Sequence, residues 1–199
     1  GTNNVEILSV ISNIGIQLSE GELLQLANMK KSEAREEDYF ITIRQKTALL
    51  FASCTKIGAM SVGVDGSTLE RMWRYGEYLG ICFQIKDDIF DYSDNEEIGK
   101  PTKNDIREGK ITLPLIYALR TATEEDKKEI IGWIKDSDFT AEHIQQIVSF
   151  TKQNGGIEYA KQRMKEFKNK AIAELDIFPD SEAKQALIDC AEFAAMRNN

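Results

Sequence analysis

Gly80-Ile81-Cys82-Phe83-Gln84-Ile85-Lys86-Asp87-Asp88-Ile89-Phe90-Asp91-Tyr92 decides how this chain folds. It closes a largely apolar helical segment that begins near Trp73. At about 100° per residue, and taking Gln84 as origin, Asp87 falls at roughly 300°, Asp88 at roughly 40° and Asp91 at roughly 340°. Those four side chains share an arc of roughly 100°, together with Glu77, Gly80 and Trp73, and Gly76 lies at its edge. The remaining arc of roughly 200° carries Leu79, Ile81, Cys82, Phe83, Ile85, Ile89 and Phe90, interrupted only by Lys86. A surface helix needs an apolar stripe of only about 100°. This helix is therefore expected inside a bundle, with its acidic stripe turned to a polar cavity. A solvated acidic face is the ordinary explanation of D-D-x-x-D by itself. The width of the apolar arc argues against it here.

The loop that follows supplies the complementary charge: Gly99-Lys100-Pro101-Thr102-Lys103-Asn104-Asp105-Ile106-Arg107-Glu108-Gly109-Lys110. Three carboxylates on one face repel one another. They suit a hard divalent cation such as Mg²⁺, which takes oxygen ligands and shares them with a substrate phosphate. Lysines just beyond can reach the same phosphate oxygens. Asp87, Asp88 and Asp91 are the expected metal ligands, and the whole arrangement reads as a metal–diphosphate site.

Two weaker signals lie upstream. Lys46-Thr47 sits mid-helix between Ile43 and Leu49-Leu50-Phe51. Alone, the pair is a snorkelling lysine beside a back-bonded threonine. Near an acidic stripe it offers an ammonium and a hydroxyl to a phosphate. Glu22 and Gln25 lie one turn apart and would face the same cavity; alone they read as surface residues.

The bulk composition bounds the partners. The 199 residues carry a net charge of −8, which disfavours nucleic acid and anionic membrane surfaces. Apolar residues make up 42%, enough for the core of one domain spanning 1–199. Cys54, Cys82 and Cys190 stand far apart in apolar helical contexts, so free thiols in a reducing, cytoplasmic compartment are expected. Neither a signal-peptide pattern nor a run of about 18 apolar residues occurs, so no transmembrane segment is expected.

Only three prolines occur, and no good run of alternating β-branched residues. About eight helices are expected, an all-α bundle. The first runs from a cap at Asn3 or Asn4 to about Met29, before a charged break over 30–38. The second ends near Val62, marked by Gly63 and Gly66. Ser67 or Thr68 opens the acidic-stripe helix, which ends near Tyr92. Pro114 starts the next. Thr123 with Asp126, then Thr140 with His143, cap two more, and Gly155-Gly156 closes the second of these. Residues 157–178 and 181–197 complete the bundle.

In order and spacing these motifs resemble the trans-isoprenyl diphosphate synthase family, and most closely its long-chain polyprenyl members. The resemblance runs from Gly21-Glu22-Leu23-Leu24-Gln25 through Lys46-Thr47 and the Gly80–Tyr92 stretch. It continues in Gly99-Lys100, Asp105-Ile106 and Glu108-Gly109-Lys110-Ile111-Thr112-Leu113-Pro114. It implies a helical bundle of the isoprenoid synthase type around a deep cavity. It also implies a homodimer and Mg²⁺-dependent head-to-tail condensation of an allylic diphosphate with isopentenyl diphosphate. Asp87, Asp88 and Asp91 match the second aspartate-rich motif. Lys46 and Lys100 match lysines that contact the allylic diphosphate, and Lys110 a further cation at the rim. Thr47 and Gln84 match polar residues near the reacting carbon. A cation formed there needs a dry pocket, which side chains around Phe83 would line.

One departure matters. The family's first aspartate-rich motif lies upstream of the lysine–threonine pair, and nothing before Lys46 matches it. Glu36-Glu37-Asp38 has neither the spacing nor the apolar frame. The upstream arginine and lysine residues that bind isopentenyl diphosphate are missing too. The expectation is the C-terminal part of a synthase, with the N-terminal helices missing and no activity alone. Two other classes also use helical bundles. A non-catalytic subunit of a heteromeric prenyl synthase would be expected to lose its aspartates. A class I terpene cyclase would carry an Asn/Ser/Glu metal triad downstream, and residues 137–170 contain no convincing one.

Overall fold

The computed structural model describes residues 5–29, 35–93 and 103–197. In chain order the helices are α1 (Val5–Met29), α2 (Glu36–Ile43), a π-helical turn (Arg44–Ala48), α3 (Leu49–Met60) and α4 (Gly66–Phe90). They continue with α5 (Asn104–Arg107), α6 (Leu113–Thr121), α7 (Glu124–Asp136), α8 (Ala141–Gln153), α9 (Gly156–Glu174) and α10 (Glu182–Met196). The fold is all-α, and no strand occurs among the described residues.

Four helix starts, those of α4, α7, α8 and α10, have side-chain caps. Thr123, Thr140 and Ser181 each accept the backbone N–H three residues on, opening α7, α8 and α10. Gly155 at φ 71° makes the left-handed step between α8 and α9. The acidic-stripe helix starts earlier than expected. Asp65, not Ser67 or Thr68, is its cap, accepting the Thr68 N–H at 2.7 Å and the Ser67 hydroxyl at 2.8 Å. α9 ends at Glu174 rather than near Phe178. The loop before α6 folds into a helical turn, α5, which no apolar periodicity announced.

α4 runs through the middle of the bundle. α3 packs along one side of it, α9 along another, and α10 beside them. No residue from Arg71 to Tyr92 is fully exposed, as the wide apolar arc requires. Tyr75, Ile81, Cys82 and Ile85 meet Phe167 and Ala171 of α9, Leu175 just after it, and Ala191 and Ala194 of α10 in the main core. A second cluster joins Leu115, Ile130, Ile147, Val148 and Ile157 with Ile106 and Tyr92. Ile89 and Ile111 touch both clusters, so the last turn of α4 is held from two sides.

The π-turn is the irregular element. A Cβ on Gly21 of α1 would stand 2.9 Å from the Lys46 backbone nitrogen. One on Gly80 of α4 would stand 2.5 Å from the Ala48 Cα. Two helices thus approach the turn at backbone distance, each through a glycine. The extra residue of a π-turn shifts helical register, a device common at functional sites. Here it sends Lys46 toward α1 and Thr47 toward α4.

Candidate active site

Four polar side chains form one chain of hydrogen bonds where α2, the π-turn and α4 meet. Thr47 Oγ1 donates to Gln84 Oε1 at 2.8 Å. Gln84 Nε2 donates to Asp88 Oδ1, also at 2.8 Å, and Tyr39 OH donates to Asp88 Oδ2 at 2.6 Å. Asp88 is only 2% exposed. Burial pushes its carboxyl up to about 7, although the bonds from Tyr39 and Gln84 pull the other way.

Asp91 serves a different partner. Its carboxylate accepts the N–H of Asn104 at 2.8 Å and of Ile106 at 3.3 Å, while its carbonyl accepts the Lys103 N–H at 3.1 Å. It thereby fixes the first residues of α5. Burial raises its pKa, and the Asp105 charge raises it further. Asp105 also raises Asp88 and Tyr39. Asp105 lay in the quoted sequence pattern but had no helical frame to give it a direction. Lys110 spans Asp105 at 2.9 Å and Glu108 at 2.7 Å. Burial works against the Lys110 charge, but those carboxylates outweigh it and raise its pKa.

Asp87 turns toward α10. Its Oδ1 accepts from Arg197 at 2.6 Å, and the same guanidinium donates to the Phe83 carbonyl at 3.1 Å. That guanidinium also lies 3.6 Å over the Phe83 ring, whose neighbour is Phe51 at 5.3 Å. An arginine 110 residues away in sequence carried no signal of this contact. Lys46 donates to Gln25 at 2.7 Å and pairs with Glu22 at 3.0 Å, which gives that upstream pair its place.

The expected common orientation of Gln84, Asp87, Asp88 and Asp91 therefore resolves into three environments. Gln84 and Asp88 join Thr47; Asp91 joins Asp105 and α5; Asp87 joins Arg197. Lys100 lies outside the described residues. Among the described residues no three acidic, imidazole or thiol groups converge as a ready cage for a metal. Mg²⁺ does not need one, because it usually binds one or two carboxylates and takes the rest of its ligands from water and substrate phosphate. The donors here are hard oxygens. Burial is the main cause that lifts Asp88 and Asp91, and the smaller contribution from the Asp105 charge is one a cation would relieve. The residues fit such an ion.

Residues 1–151 match the family model described as polyprenyl synthetase. The chain is 34% identical to octaprenyl diphosphate synthase of Escherichia coli K12 over 197 residues, which is 98% of this chain and 60% of that protein. It spans between 45% and 60% of the length of the curated relatives it matches. The crystal structure of geranylgeranyl pyrophosphate synthase from Bacteroides thetaiotaomicron superposes with a TM-score of 0.91 at 46% identity, covering 98% of this chain and 65% of that one. Polyprenyl synthase from Caulobacter crescentus CB15, crystallised with calcium and isoprenyl diphosphate, superposes at 0.93 with 31% identity over 98% and 60%. Sequence, fold and the order of the acidic and lysine motifs agree: this chain belongs to the polyprenyl synthetase family.

Proposed function

We propose that this chain serves the Mg²⁺-dependent head-to-tail condensation of an allylic diphosphate with isopentenyl diphosphate to a polyprenyl diphosphate. The observation that carries the reading is the Thr47–Gln84–Asp88 chain, with the Asp91–Asp105 acidic pair on the same end of α4. A polar, directional pair next to concentrated negative charge suits a reaction that separates an allylic cation from pyrophosphate.

The allylic C–O bond breaks with its electron pair leaving on pyrophosphate. The isopentenyl double bond then attacks the allylic carbon, and the proton lost from the adduct passes to pyrophosphate. No side chain needs to be the base. Mg²⁺ held by Asp87 and Asp91 would neutralise charge on the diphosphate oxygens. Lys46 would exchange Gln25 and Glu22 for the same group, Lys100 would be a second lysine contact to it, and Lys110 a further cation at the rim. Phe83 and Phe51 exclude water beside the cation. The intact aspartates favour a catalytic chain over a non-catalytic subunit. Three free cysteines support a cytoplasmic setting, and exposed apolar residues on α1 support a homodimer.

The 199 residues supply one acidic motif of the two that the resemblance implies, so no condensation is expected from them alone. Binding is the direct test, using a non-ionisable allylic thiolodiphosphate and isothermal titration calorimetry. Saturable binding that needs Mg²⁺ and weakens in Lys46→Ala is expected. Binding indifferent to both Mg²⁺ and Lys46, or no binding, would overturn the reading.

A further inference from the structure

The hydrogen-bond chain at the candidate site starts from a residue outside both motifs. Tyr39 lies on α2, 49 residues before Asp88, and is only 8% exposed. Its ring meets Phe40 edge-on at 5.3 Å. One turn before it, Glu36 accepts the Tyr159 hydroxyl at 2.7 Å and pairs with Arg120 at 3.1 Å and Arg163 at 3.8 Å. That bracket ties the start of α2 to α6 and α9, so Tyr39 has little room to shift.

The direction of the chain follows from donor and acceptor chemistry. The bonds from Tyr39 and Gln84 favour the ionised form of Asp88 against the effect of burial, and in that form its carboxylate only accepts. With Oδ1 facing Gln84, the carboxamide must offer Asp88 its NH₂ group, and its oxygen then points to Thr47. The Thr47 hydroxyl donates to that oxygen and keeps its own lone pairs for whatever lies beyond. Reversing the amide would present N–H donors instead, which repel a developing carbocation. Asp88 dictates this polarity only while it is held in place. Its second oxygen, buried at 2% exposure, is held by Tyr39. A buried acceptor without a partner is costly and would draw in water or rotate.

We propose that Tyr39 is a positioning residue: through Asp88 it fixes the direction of the Gln84 carboxamide, so that the Thr47–Gln84 pair turns oxygen lone pairs toward the allylic carbon. Asp88 is then an orienting group, and metal binding falls to Asp87 and Asp91. The substrate in this statement rests on the synthase reading above; the hydrogen-bond polarity does not.

Two measurements test it separately. In the isotopically labelled chain, hydrogen exchange of the Gln84 side-chain amide is compared between wild type and Tyr39→Phe. Exchange at least about tenfold faster is expected, with the buried Ile81 backbone amide unchanged, so that the effect is local. Gln84 exchange within about twofold of wild type would overturn the proposal.

The second measurement compares affinities for two Mg²⁺-loaded probes, a prenyl analogue with an ammonium at the allylic position and the neutral thiolodiphosphate. Wild type should prefer the cationic probe. Tyr39→Phe should lose about tenfold of that preference while binding the neutral probe as before, as one misdirected polar contact would cause. An unchanged preference, or an equal loss for both probes, contradicts the proposal. Should Tyr39→Phe not fold, Asp88→Asn, which can turn its own amide either way, takes its place in the amide-exchange comparison alone, and the same exchange outcomes apply. A wild-type chain that binds neither probe defeats the synthase reading, and amide exchange alone then decides the positioning claim.

Discussion

Asp87, Asp88 and Asp91 share one helical stripe yet have three different partners, and their substitutions should differ accordingly. In a catalytically competent form of the protein, Asp87→Ala should lower kcat by roughly 10²–10³-fold, the size of one electrostatic group acting on developing charge. KM should move much less, because the charge on pyrophosphate grows as the bond breaks. Lys46→Ala should place more of its effect in KM, since a lysine contact to a bound diphosphate exists already in the ground state. Steady-state kinetics with allylic substrate and Mg²⁺ both varied separates the two. Near-normal kcat for Asp87→Ala at saturating Mg²⁺ would make the contact with Arg197 structural. Away from the site, Cys82 is fully buried, and burial lifts its thiol to about 11. A raised thiol pKa keeps the neutral, unreactive form at neutral pH. Cys54 and Cys190 are exposed. Titration with a thiol reagent near neutral pH should modify those two promptly and Cys82 only on unfolding. Prompt modification of Cys82 in the folded chain would contradict the packing of α4.

At the scale of elements, the periodicity of residues 73–92 was enough to place α4 inside the bundle and to name Gln84 and Asp88 as neighbours on one face. Caps at Thr123 and Thr140 were legible because a side-chain oxygen three residues before a free N–H is a local event. The π-turn was not legible. It depends on Gly21 and Gly80 bringing two other helices to the same backbone, and that conjunction has no local signature. Those glycines make the claim testable. On helix propensity alone, Gly→Ala should stabilise by roughly 1 kcal/mol. Gly58 in α3 is exposed, and a Cβ there would meet nothing within 4 Å, so Gly58→Ala should stabilise by up to about 1 kcal/mol. Gly80→Ala forces its Cβ against Ala48, and should destabilise by about 1–3 kcal/mol as an overpacked core position. Thermal or urea unfolding checks both signs. A stabilised Gly80→Ala would mean that the π-turn and α4 are not held at backbone distance.

Across the whole molecule, α1 raises a question of packing. Val5, Leu8, Ile16, Leu23 and Leu26 are each at least half exposed. At about 100° per residue they fall on one stripe of roughly 80°. An apolar stripe of this kind, here interrupted by the exposed Ser12 and Ser19, marks a face that other protein normally covers. The chain should associate with itself as its concentration rises and bind an apolar dye. Leu23→Lys should shift sedimentation toward the monomer. A wild-type chain that stays monomeric and dye-silent would contradict this. The same scale explains why Arg197 and Asp105 escaped a reading from sequence. Their meaning lies in what the chain returns to far along the sequence, and neither periodicity nor composition encodes that return.

The central claim is that the acidic end of α4 binds a metal ion together with a diphosphate. Calorimetric titration of the chain with inorganic pyrophosphate tests it most directly, with and without Mg²⁺, in wild type and in Asp87→Asn. Wild type should bind pyrophosphate only when Mg²⁺ is present. Asp87→Asn should weaken that binding by about 10–100-fold, the size of a charge-assisted contact of ~1.5–3 kcal/mol. Equal affinity in both proteins, or wild-type affinity that does not change when Mg²⁺ is removed, would contradict the account.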